Sequence, residues 1–177
     1  MIMSMANGKH DRILTGILAI SLLALTAAVA DSLRDRVIQR GDRAPDFSVR
    51  ADNGLTVTPT QFGGKVLIVN FWATWCPPCV QETPSMVAFA NQYRDKGVVV
   101  LGISVDKSQK NYENFLRRFD VSFLTTRDPE AGISDSFGTY VYPESYVINR
   151  EGKVVQKIIG GTNWADPNLA SFIEGQL

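Results

Sequence analysis

Residues 66–82 read VLIVNFWATWCPPCVQE. The opening run Val66-Leu67-Ile68-Val69 is short, apolar and rich in β-branched side chains, the pattern of a buried strand. Two cysteines separated by two residues follow, where a helical pattern begins. Pro77 and Pro78 suit a first helical turn, whose N–H groups have no intrahelical partner to lose. Cys76 is therefore expected at a helix N-terminus, where the partial positive charge favours a thiolate, the form that attacks disulfides. A thiol with a pKa near 8.5 is about 3% ionised at pH 7, against about half for one near 7. Neither proline has an N–H, so only amides from Cys79 onward can assist Cys76, and a modest lowering of its pKa is expected.

A purely structural use of this pair is weak. Closing a loop of about four residues is worth roughly 2 kcal/mol, less than the roughly 3 kcal/mol of a 15-residue loop. A structural zinc site needs four ligands, but the chain has two cysteines and one histidine, His10, in the N-terminal leader. No metal site is expected. The strand-to-helix setting points to redox chemistry.

With GDRAPDF at residues 41–47 upstream and GTYVYPESYVINREGKVV at residues 138–155 downstream, WATWCPPC resembles the thioredoxin superfamily. More narrowly it is similar to the membrane-anchored or secreted TlpA/ResA/DsbE-like thiol-disulfide oxidoreductases of bacteria, from about Gly41 to the C-terminus. The resemblance implies Cys76 as attacking nucleophile and Cys79 as resolving thiol, working through a redox-active Cys76–Cys79 disulfide without a bound cofactor. It makes Pro143 the family's cis-proline, with the backbone of Tyr142 pairing with a substrate strand. Glu144 departs from the small hydroxyl residue often found next, and a carboxylate there would disfavour a Cys76 thiolate and repel acidic partners.

Glu82 lies three residues past Cys79, on the same helix face. Its position resembles the active-site glutamate of the ResA-like branch. The aspartate that plain thioredoxins bury six residues before the first cysteine is Asn70 here, and an amide cannot take a proton, so Glu82 is the candidate base. Trp75, with Pro77 and Pro78, is expected on the docking surface, and Trp72 in packing. Implied partners are protein thiols or disulfides, for example apocytochrome c, with a membrane thiol-disulfide electron donor.

Residues 13–30, ILTGILAISLLALTAAVA, carry no charge and follow Lys9 and Arg12. At about 1.5 Å per residue they cover most of a bilayer core as a helix. They also end in Ala28-Val29-Ala30, the small-x-small pattern of signal-peptidase cleavage. Either a retained anchor or a cleaved signal peptide exports the remainder, to the periplasmic side of an inner membrane or the outer face of a cell membrane. Residues 31–40, DSLRDRVIQR, read as a polar linker, and residues 41–177 as the domain. The 18 basic and 18 acidic residues balance, which gives no electrostatic case for nucleic acid.

The domain reads as α/β with a mixed central sheet flanked by helices. An edge strand at residues 47–51 turns at Asp52-Asn53-Gly54 into Leu55-Thr56-Val57, an N-terminal β-hairpin. Residues 98–104 form a second buried strand. Met86, Phe89, Ala90 and Tyr93 mark the buried face of the first helix, which Pro84 should kink. Tyr112, Phe115, Leu116 and Phe119 mark the next helix. That helix and a strand at residues 123–126 resemble the insertion of the TlpA/ResA group. A short helix at 128–137, a hairpin of 145–149 with 154–159 and a helix at 163–175 complete the chain. Two other functions compete. The Ala44-Pro45-Asp46-Phe47 opening also occurs in peroxiredoxin-like peroxidases, but Val69 and Ala73 stand where that motif needs proline and Thr or Ser before Cys76. A tethered binding or chaperone module with inert cysteines is the non-enzymatic alternative.

Overall fold

The computed structural model describes residues 7–32 and 37–177, in two compact units. The N-terminal unit is the helix α1, Asn7–Ser32. Its segment Arg12–Val29 is long and apolar enough to cross a membrane, and none of it is buried in protein. Of the expected linker, residues 33–36 lie outside the described residues. Ile38 is already buried and its amide donates to Phe137 O at 3.0 Å, so packing starts before Gly41.

The second unit runs β1 (Val49–Arg50), β2 (Thr56–Val57), β3 (Val66–Trp72), α2 (Pro77–Tyr93), β4 (Val98–Ser104), α3 (Gln109–Arg118), β5 (Leu124–Arg127), α4 (Gly132–Ser136), β6 (Glu144–Asn149), β7 (Val154–Ile159) and α5 (Pro167–Glu174). Five strands form one mixed sheet in the order β5-β4-β3-β6-β7. β3 pairs in parallel with β4 and antiparallel with β6, which places the strand before the cysteines at the centre. This is the thioredoxin fold expected from the sequence.

Alternation along β3 assigns its two faces. Leu67, Val69 and Phe71 point into a core with Ile38, Val49, Val57, Phe137 and Tyr146. Val66 and Ile68 point the other way, onto Met86, Phe89, Ala90 and Tyr93 of α2 and Ile173 of α5. Each large apolar side chain buried this way contributes about 1.5–3 kcal/mol. Asn70 falls on the α2 face by the same alternation, where an amide costs free energy unless it is hydrogen-bonded.

Several elements differ from the sequence reading. The stretch at residues 47–51 does not edge the main sheet; only Val49–Arg50 and Thr56–Val57 pair, as a separate two-stranded sheet. The hairpin still touches β5, through the Asp52 amide on Thr125 O and the Thr126 hydroxyl on Arg50 O. The last helix starts at Pro167, not at residue 163, because the Asp166 side chain caps it by accepting from the amides of Asn168 and Leu169. The helix within 128–137 shrinks to five residues behind Ala131, whose φ of 58° is left-handed. α2 does carry Pro84 in its interior and reaches Tyr93, as read from the sequence.

Candidate active site

The sheet delivers the chain from the C-terminal end of β3 through a turn, with the Cys76 amide on Ala73 O at 3.3 Å, into α2. Cys76 is the N-cap of that helix, with extended backbone, and Pro77 and Pro78 are its first residues. The Cys79 amide donates to Cys76 Sγ at 3.3 Å, the first amide available once both prolines are passed. No acidic residue occupies the first turn, so no carboxylate competes with the sulfur for the positive end of the helix. Cys76 and Cys79 are joined as a disulfide, with Cα atoms 5.3 Å apart.

The residues expected around this pair converge on it. The Tyr142–Pro143 peptide bond is cis, and Tyr142 O lies 3.3 Å from Cys76 Sγ. Trp75 is 65% exposed and stands edge-on to the Tyr142 ring, centroids 6.2 Å apart. Pro77 and Pro78 are exposed beside it, as are Tyr140 and Val141, whereas Pro143 is buried. Trp72 is buried against Tyr112 and Phe115.

Glu82 is not a solvated helix glutamate. It is buried, its Oε1 accepts from Asn70 Nδ2 at 3.0 Å and its Oε2 from the Thr162 amide at 3.1 Å. Burial pushes its carboxyl above the usual 4.5. The Thr162 amide, the Asn70 amide group and, more weakly, the nearby Trp164 indole pull the other way. The Trp164 N–H is itself buried, with no hydrogen-bond partner among the described residues. Asn70 also donates to Ser145 Oγ at 2.9 Å, which completes a buried chain from β6 through β3 to α2. A cleft of about 380 Å³ lined by Pro78, Gln81, Glu82, Ser85 and Thr162 opens beside this group.

Glu144 corrects an expectation. Its carboxylate does not face the cysteines or a docking partner: it is buried, ion-paired with Lys157 at 2.9 Å, and bonded by the Thr139 and Tyr146 hydroxyls. With its charge matched inside the fold, it has none to turn against acidic partners.

Ser145, Thr162 and a buried carboxylate at Asp106 were not singled out from the sequence. For Asp106 a signal existed: it follows the carboxyl end of a parallel strand, where α/β sheets gather their functional side chains.

Fold and paired sulfurs together define a thiol-disulfide oxidoreductase of the thioredoxin superfamily. The chain belongs to the Redoxin family, whose profile matches residues 39–173, and within it to the TlpA/ResA/DsbE-like members. It is 32% identical to the thiol-disulfide oxidoreductase ResA of Bacillus cereus, over 86% of this chain and 90% of that protein. It is 36% identical to the thioredoxin-like protein YneN of Bacillus subtilis, over 84% and 89%. Among solved structures, one described as a thiol:disulfide interchange protein DsbE from Chlorobium tepidum superposes with a TM-score of 0.71 at 29% identity, covering 78% of this chain and 98% of that one.

Proposed function

We propose that this oxidoreductase is a reductant working outside the cytoplasm, tethered or exported by its N-terminal helix. Its substrates are protein disulfides, such as the cysteine pair of a haem-accepting apocytochrome c. In this reading the Cys76 thiolate attacks one sulfur of the partner's disulfide, forming a mixed disulfide and releasing the other sulfur as a thiolate. Cys79 then loses its proton, with Glu82 as the base one turn along the helix, and attacks Cys76 Sγ. The second partner thiolate leaves, two electrons have passed to the partner, and the Cys76–Cys79 disulfide has formed. A membrane dithiol returns the two electrons, so no bound cofactor is needed.

The reducing direction rests on one observation. Cys76 Sγ receives the Cys79 amide on one side and faces the Tyr142 carbonyl oxygen on the other. One donor opposed by one carbonyl gives the thiolate little net support, and a weakly supported thiolate keeps a dithiol reducing.

The test is a Cys79→Ser chain produced in its own host. It should accumulate mixed disulfides through Cys76, with partners that lie outside the cytoplasm, and the Cys76→Ser chain should accumulate none. Absence of mixed disulfides from both, together with failure to reduce insulin disulfides, would reject the reading in favour of an inert tethered module.

A further inference from the structure

β3 and β4 run parallel with Trp72 opposite Ser104. Two residues beyond each partner come Thr74, in the turn before Cys76, and Asp106. The Val105 amide on Trp72 O, 3.0 Å, carries the pairing past the strand ends and brings these two side by side. Asp106 is 2% exposed. Its Oδ2 accepts from the Thr74 amide at 2.9 Å and from the Ser104 hydroxyl at 2.6 Å, and its Oδ1 accepts from the Thr74 hydroxyl at 2.6 Å. On the far side Arg127 holds the backbone, donating from Nη1 to Asp106 O at 3.2 Å and to Lys107 O at 3.1 Å.

The turn from Ala73 to Cys76 has two central residues. Trp75 is largely exposed, and Thr74 has both its polar hydrogens on one carboxylate. Both of these hydrogen bonds end on Asp106, so this pair ties down the turn that places Cys76 Sγ between the Cys79 amide and Tyr142 O. We infer that Asp106 is the positioning residue of the redox pair: through Thr74 it holds the turn that presents Cys76 to Cys79.

Holding two sulfurs in reacting geometry raises their effective concentration towards each other. Freeing the turn therefore makes the intramolecular disulfide harder to form. Removing the Asp106 charge acts in the same direction, because a lost anion near the turn favours the Cys76 thiolate and so the reduced form. Thr74→Val keeps both the charge and the backbone bond and removes only the hydroxyl's bond. It isolates the geometric part, and it serves if Asp106→Asn does not fold.

The inference rests on Cys76 and Cys79 forming a working dithiol, and the experiment separates the two. The full chain is equilibrated with reduced and oxidised glutathione, and its reduced fraction is read by alkylation. Asp106→Asn should lower the equilibrium constant for forming the disulfide about ten-fold, a rise in potential of about 30 mV. Thr74→Val should lower it about five-fold, and the double variant should be no lower than Asp106→Asn alone, since both act through one bond pair. Thr74→Ser, which keeps the amide and the hydroxyl, should stay within about two-fold of the unaltered chain. A purely structural role would lower the melting temperature and leave the constant unmoved, and that result overturns the inference. So does a double variant equal to the product of the singles. An unaltered chain that never exchanges with glutathione overturns the dithiol reading itself, and this inference with it.

Discussion

Asn70 donates to Glu82 Oε1 over 3.0 Å, linking the central strand to the helix that carries both cysteines. An amide at this position gives a hydrogen bond without a second charge. In an Asn70→Asp chain two carboxylates would meet at this distance, and both cannot ionise freely. The pH at which disulfide exchange reaches half its maximal rate should move up by about one unit. A pH–rate profile of insulin reduction checks it, and an unmoved midpoint would detach Glu82 from the chemistry.

Burial raises the Glu82 carboxyl above 4.5, so the folded chain holds that proton more tightly than the unfolded one. Stability from the neutral carboxyl is complete below 4.5 and is lost as pH climbs through the folded value. Glu82→Gln cannot ionise, and its stability should stay flatter above that point. Urea unfolding at pH 5 and pH 8 should show the unaltered chain losing more than the variant, whatever offset the changed hydrogen bonds introduce. The variant should also slow exchange at neutral pH.

Glu144 and Lys157 are both buried, with side chains 5% and 7% exposed. Lys157→Met strands a buried carboxylate and should destabilise the domain by about 3–5 kcal/mol, as other broken buried pairs do. Adding Glu144→Gln should recover most of that, because the pair's own net contribution is small. Chemical denaturation of the single and double variants measures both.

Trp75 is mostly in solvent and touches Tyr142 beside the reactive sulfur. Trp75→Ala should leave the melting temperature nearly unchanged, since exposed substitutions cost within about 0.5 kcal/mol. It should weaken capture of a protein disulfide about ten-fold, the loss typical of an aromatic anchor. Steady-state kinetics should place the loss in KM, with glutathione exchange unaffected.

The strand β4, the N-cap at Cys76 and the β6–β7 hairpin could be read directly, because each is written in consecutive residues as a run, a dipeptide or a turn. The partners of Glu82 could not: Thr162 is 80 residues away and Ser145 lies 75 from Asn70. Glu144 shows a second obstacle. Counting back from the hairpin turn, with Ile148 opposite Val154, sets Lys157 opposite Ser145 and on the other face. An irregularity between Val147 and Ile148 shifts the ladder by one, so Lys157 stands opposite Tyr146, on the side of Glu144. A single slipped residue decides whether that carboxylate meets a cation, and no local pattern announces it. The stretch at 163–166 differs for another reason, since the Asp166 cap sets the start of the last helix at Pro167.

β3 is hydrogen-bonded on both flanks along nearly its whole length, to β4 on one side and β6 on the other. Its amides can reach solvent only when the entire domain opens, and they should be among the slowest to take up deuterium. Cys76 follows this strand by a single turn, so exchange of partners at the surface need not disturb the sheet beneath it.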